Sequence, residues 1–262
     1  MEQPTAERIL SDGLSRRTVV KSAAWSVPVL VAAAAVPMAS ASTTACTKTI
    51  STATAAYSRA SATASQFVWP NLFGDGKDFT LTLTAVHALW TNMAINQANN
   101  LVLDSGMNGG EAQPSVHLSL DTLALDNTGG GEKVTFDFAL GGVSTSVTNL
   151  TYKIKDIDGF MALDGKGGAE RVFVSAGTGT YDSAWVQGSG TDADRWRLST
   201  AAPNVEVAPT SSAGNVAVTV PATSSFDLTY VVNNSGRAPS DRPNQNIWLG
   251  PFTFTVSGFC KP

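Results

Sequence analysis

The 262-residue sequence predicts an all-β protein, an antiparallel β-sandwich or jelly roll folded as a single domain behind a cleaved leader. Three observations predict it. Apolar residues recur at every second position in short runs, the period of a strand with one buried face. Gly, Pro, Asn and Asp separate the runs, as turns between short strands require. Nine or ten such runs follow one another without the intervening helical periods that βαβ units would need.

The clearest runs lie between Val134 and Gly159. Val134, Phe136, Phe138 and Leu140 alternate with Thr135, Asp137 and Ala139, and Gly141-Gly142 ends the run. Leu150, Tyr152 and Ile154 then alternate with Thr151, Lys153 and Lys155. If the alternation continues, Asp156 and Asp158 point to the apolar side at the strand's end. Side chains two apart on a strand lie roughly 7 Å apart, so these carboxylates repel unless something compensates them. A bound Ca²⁺, an Arg or Lys, or the N–H groups of the Gly159 turn would do so. Asp164, in the Gly-rich loop that follows, is the third ligand a Ca²⁺ would take, although the spacing is not that of an EF-hand. The alternative is an Asx-type turn that caps the strand.

In chain order the leader comes first. Ser15-Arg16-Arg17-Thr18-Val19-Val20-Lys21 resembles a twin-arginine export signal, with Arg16 and Arg17 as the paired arginines. An Ala- and Val-rich stretch, 22–38, follows, and Ala39-Ser40-Ala41 supplies the small residues of a cleavage site at Ala39 and Ala41. The expected partners in export are the twin-arginine translocase and a signal peptidase. The stretch is short for a membrane span, and Pro28 interrupts it. Cys46 lacks the upstream aliphatic residue of a lipidation site. The organisation predicted is a signal peptide at 1–41, an Ala/Ser/Thr-rich lead-in with the first strand at 42–65, and the sandwich at 66–262.

Without the leader the chain retains 13 Lys+Arg and 18 Asp+Glu, a net charge of −5. Nucleic acid is a poor partner for such a surface, because phosphate contacts need basic residues. No later segment is apolar enough to span a bilayer. Both cysteines survive cleavage, so in an oxidising compartment Cys46 pairs with Cys260 and staples the first strand to the last.

Further along, a strand is expected around 48–58. Phe79, Leu81 and Leu83 alternate with threonines in another. Val86, Leu89, Trp90 and Met93 fall at i, i+3, i+4 and i+7, so a short helix or an irregular loop is expected there, running into the Asn-rich stretch 92–100. Val116, Leu118 and Leu120 resume the alternation. Further strands are read at Arg171–Val174, Arg195–Leu198, Val216–Val220, Phe226–Val232, Ile247–Leu249 and Phe252–Val256.

Enzyme signatures are missing: there is no G-x-S-x-G, H-E-x-x-H or P-loop, and His87 and His117 lack the spacing of a triad. Glu111, Glu132, Glu170 and Glu206 read as scattered through loops and strand ends, and only Asp156 and Asp158 pair acids on one strand as a jelly-roll glycosidase would. Aromatic residues give the stronger lead. Trp185 and Trp196 sit in polar, Gly-rich surroundings with Tyr181 and Arg195 nearby, a set able to stack on a sugar ring and bind its hydroxyls.

The segment Asn149-Leu150-Thr151-Tyr152-Lys153-Ile154-Lys155-Asp156-Ile157-Asp158 resembles the N-L-x-F-x-I-x-D-I-D segment of a widespread class of bacterial secreted β-sandwich proteins. Arg171-Val172-Phe173-Val174 is similar to their R-V-x-V strand, and 245–254 to their closing strand pair. The leader resembles those of actinobacterial exported proteins. The resemblance spans roughly residues 130–260 and implies a surface or adhesin-type module without catalytic residues. The function expected is a secreted or cell-surface binding or structural module, non-catalytic, directed at an extracellular glycan or surface protein. A carbohydrate-directed hydrolase on a jelly-roll scaffold is the alternative. No cofactor is required beyond the Ca²⁺ considered above.

Overall fold

The computed structural model of the chain describes residues 44–91, 93–122, 130–161, 167–202, 207–235 and 245–261. Arg16, Arg17, Ala39 and Ala41 of the leader, and Asp164, lie outside the described residues. The first strands are β1 (Thr44–Ser51), β2 (Ala56–Ser61), β3 (Ala64–Trp69), β4 (Phe79–Thr91), β5 (Met93–Ile95) and β6 (Val102–Asp104). The middle of the chain forms β7 (Met107–Asn108), β8 (Glu111–Ala112), β9 (Ser115–Thr122), β10 (Gly130–Leu140), β11 (Val143–Ser144), β12 (Val147–Lys155), β13 (Gly159–Met161) and β14 (Gly167–Val174). The last part forms β15 (Thr178–Tyr181), β16 (Val186–Gln187), β17 (Trp196–Leu198), β18 (Val216–Thr223), β19 (Ser225–Ser235), β20 (Gln245–Leu249) and β21 (Thr253–Cys260). A three-residue 3₁₀ turn, Thr52–Thr54, is the one helical element among the described residues.

Two antiparallel sheets result. Sheet I begins at β15, which pairs with β18, and β18 pairs with β12. The other edge of β12 is shared: β21 lies against Val147–Thr151, and β20 against Ile154 and Lys155. Beyond them β1 pairs with β21, and β9 pairs with β20 and carries β5 and β6 on its far edge. Sheet II has the order β16-β17-β14-β19-β10-β4-β3-β2, with β11 on β10 and β13 on β14. β7 and β8 form a separate hairpin.

The two central runs read from the sequence belong to different sheets: β10 lies in sheet II and β12 in sheet I. Their apolar faces meet in the interior, where the predicted alternation places Phe136, Phe138, Leu150, Tyr152 and Ile154, all buried. Rings close the gap between the sheets. Phe136 meets Phe252 at 5.3 Å, Phe138 meets Phe254 at 5.1 Å, and Tyr152 meets Phe226 at 5.7 Å between centroids. Aromatic pairs at such spacing add to the burial of apolar area.

The predicted disulfide is present. Cys46 and Cys260 are bonded, their Cα atoms 5.8 Å apart, across the β1–β21 pair. β1 joins sheet I and β2 joins sheet II, so both early strands belong to the sandwich.

The stretch with helical spacing falls in two strands, β4 as far as Thr91 and β5 from Met93. β4 pairs along its length with β10, from Phe79 opposite Leu140 to His87 opposite Glu132. Ala85 continues the inward phase of Leu81 and Leu83, whereas Val86 faces outward and is exposed. Val86 and Met93 fall in two different strands, β4 and β5, and pairing with neighbouring strands decides the conformation. From Asn96 onward the Asn-rich stretch is a turn, and its amides hold it in place. The Asn96 side chain accepts from the N–H groups of Ala98 and Asn99 at 3.0 and 2.7 Å and donates to Asp121 at 2.6 Å.

Candidate functional site

β12 does not carry its alternation into the acidic turn. Asp156 takes a left-handed conformation, φ 70°, and this one residue turns the chain so that Ile157 enters the core. The expectation that Asp156 and Asp158 share the apolar face is therefore corrected, since both are half-buried beside it. Asp158 Oδ2 accepts from the Val207 N–H at 3.0 Å, and its own N–H donates to Glu170 Oε2 at 3.1 Å. The Asp156 N–H donates to Asn215 Oδ1 at 3.4 Å. Among the described residues no three His, Cys, Asp or Glu side chains are grouped to hold a metal ion.

Two glutamates read as loop or strand-end residues lie buried in the interior. Glu132 is two residues before Val134 and Glu170 two before Val172, and both share the inward phase of the valines. They flank β19, where Tyr230 sits between their strands and donates its hydroxyl to Glu170 Oε1. Burial, and then the Asp158 charge, push the Glu170 carboxyl well above the usual range, against the Tyr230 hydrogen bond. Burial pushes Glu132 up to about 8, offset in part by an Asn100 amide hydrogen bond of 2.8 Å. Asn100 also donates to the Ala62 carbonyl at 2.9 Å and accepts from the Ser119 N–H at 2.8 Å, so one side chain joins three strands or turns from both sheets. The inward phase was the available signal for both acids. Buried carboxyls held neutral are the kind of group that functional sites use, and cores also contain them when they are hydrogen-bonded.

The predicted sugar platform is not assembled. Trp196 is fully buried, and its ring fills the seam between the edge strand β15 and β17. Gly179 and Gly190 make room for it: a Cβ at either would stand 2.4 or 2.3 Å from the indole. The expected stacking role of Trp196 is therefore corrected. An aromatic flanked by Arg195 and Arg197 looked exposed, but strand phase turns it inward between two outward arginines. Trp185 is half-buried against the core. Tyr181 donates its hydroxyl to the Gly188 carbonyl at 2.5 Å. Arg195 bonds Asp192 Oδ1 through Nη2 at 2.5 Å and lies over the Phe173 ring, 4.9 Å from its centroid.

The outer face of sheet I holds polar chemistry that the sequence reading did not single out. Trp248 stacks on His117, with centroids 4.8 Å apart and planes 6° apart, and its Nε1 donates to Asp104 Oδ2 at 3.2 Å. Asn246 Oδ1 lies 2.9 Å from His117 Nε2 and accepts from the Ser119 hydroxyl at 2.7 Å. Burial lowers the His117 pKa, although the Asn246 hydrogen bond and the Asp104 charge oppose it. Beside this row Glu111 pairs with Lys153 and, at 3.3 Å, with Lys155. Lys155 faces outward as its phase predicts, yet its side chain is fully buried, because the β7–β8 region covers it and Ser115 takes a further hydrogen bond at 3.1 Å. A groove of about 340 Å³ runs across this face, lined by Glu111, Gln113, Thr151, Lys153, Thr219 and Pro251 among others. Strand period was the signal here too: Thr151, Lys153, Ala217 and Thr219 are the outward residues of β12 and β18, paired in register.

Comparison with models of known families, with curated proteins and with solved structures gives no match. Among the described residues no helix is long and apolar enough to cross a membrane.

Proposed function

We propose that this chain is an exported, disulfide-closed binding module that takes a glycan on the outer face of sheet I without turning it over. The groove supports the reading most directly. Two threonine hydroxyls, the Gln113 amide and the Glu111–Lys153 pair offer donors and acceptors along a surface that also carries Ala217 and Pro251. Sugar rings present hydroxyls at their edges and C–H groups on their faces, and such a mixed surface matches both. The twin-arginine-like leader and the Cys46–Cys260 bridge support an oxidising destination.

The test is a glycan array and a parallel hydrolysis screen on the full chain. Binding without turnover, weakened about tenfold or more in Lys153→Ala, is the expected result. Binding that is unchanged in Lys153→Ala, or no binding to any glycan, would reject the groove as the site. Turnover in that screen, lost in Asp156→Asn while binding remains, would instead establish a hydrolase that uses the half-buried acids of the Asp156–Asp158 turn.

A further inference from the structure

The opposite face of the sandwich carries an arrangement the groove does not explain. Arg171 on β14 stands directly across from Arg197 on β17 in the strand register. Like charges facing one another across neighbouring strands repel. Arg195, just before β17, brings a third guanidinium to the same place, and the three arginines line a basin of about 470 Å³ with Asp192, Ala193 and Asp194. The two aspartates are already committed. Asp192 takes Arg195 at 2.5 Å, and Asp194 takes Arg197 at 2.9 Å. That leaves Arg171. Among the described residues its side chain makes no ion pair and no hydrogen bond, and its Nε is buried without a partner. Its pKa is lowered, first by burial and then by the charges of Arg197 and Arg195.

A guanidinium is a planar fork whose geometry matches two oxygens of one oxyanion. The basin therefore holds one uncompensated positive charge, at the residue whose donors are unused, and two more arginines fixed in place by their aspartates. The packing keeps the fork in position. Val172, the next residue, is fully buried on the other face, and Val172 pairs with the buried Trp196, so the arginines are borne on two strands anchored in the core.

We infer that the Arg171–Arg195–Arg197 basin binds an oxyanion, a carboxylate or sulfate group, with Arg171 as its principal donor. Such a group would be carried either by an acidic sugar chain or by a free anion. In both cases it neutralises the repulsion between Arg171 and Arg197 and satisfies the buried Nε. The site is separate from the groove of sheet I, and it stands or falls independently of the glycan reading.

The experiment is NMR of the arginine Nε–Hε groups in the full chain with its disulfide intact. The titrants are sodium sulfate, sodium acetate, an oligogalacturonate and a neutral oligosaccharide of equal length. The oxyanions should shift the Arg171 and Arg197 signals, the neutral sugar should not, and Arg171→Gln should weaken binding about tenfold or more. Arg171→Gln should also leave the anion-free protein no less stable than the parent, which separates a binding role from a structural one. Arg171→Lys keeps the charge but loses the fork, and should bind more weakly than the parent. Oligogalacturonate binding tighter than acetate assigns the site to an acidic sugar chain, and equal affinity assigns it to the free anion. The inference is overturned if no oxyanion moves these signals, if the neutral sugar moves them equally, or if Arg171→Gln binds as well as the parent. None of these results would alter glycan binding that depends on Lys153, so the two proposals fail separately.

Discussion

Glu132 is an acid that folding obliges to keep its proton. Its carboxyl titrates near 8 in the folded chain, whereas an exposed glutamate titrates near 4.5. The folded state thus binds more protons than the unfolded state between those values, and stability falls as pH rises through that window. The loss has an upper limit of about 1.4 kcal/mol per pH unit for one group, and it levels off above pH 8. Glu170 is shifted in the same direction and adds to the slope. Glu132→Gln should retain the Asn100 partner without the charge. Urea unfolding at pH 5 and pH 8 should show a flatter profile for the variant, and greater stability than the parent at pH 8. Identical slopes for the two proteins would contradict a buried, neutral Glu132. Both glutamates could be read from strand phase, because each lies two residues before an inward valine. Their charge hid them, since acids are usually exposed. The turn at Asp156 was not legible, because a single left-handed residue resets the phase and nothing in the neighbouring sequence demands it.

Strands were largely legible where small or polar residues alternate with large apolar ones, as in β4, β10 and β12. Partners were not. A run such as Val134–Leu140 gives its buried face but not the sheet that it joins, and β10 and β12 proved to belong to opposite sheets. The apparent helix near Val86 failed for the same reason: a 13-residue strand paired along its length outweighs a local spacing. Trp196 shows the seam between two elements. Its ring requires the bare backbone of β15, and Gly179 has no left-handed conformation to account for it, so its lack of a side chain serves packing alone. Gly179→Ala should therefore cost about 1–3 kcal/mol by overpacking, with the loss visible in thermal unfolding. Near-ultraviolet circular dichroism should report a changed Trp196 environment. An alanine tolerated without either effect would mean that β15 can move away from β17 freely.

Over the whole molecule, the bridge joins residues 214 apart in sequence. Removing it should lower stability by about 2–5 kcal/mol, on the chain-entropy view of long loops. Cys46→Ser, compared with the parent in urea, measures it, and free thiols found in the native protein would refute the bridge. The two-sheet plan and this pairing were legible because alternation and a count of two cysteines each leave little choice. The groove and the arginine basin were not, because each brings together outward residues of strands distant in the chain. One consequence concerns biosynthesis. β1 takes its sheet neighbour from β21, so among the described strands the earliest in the chain waits unpaired for the latest. Sheet I therefore cannot close at this edge before β21 has been synthesised, however early the strands between have assembled.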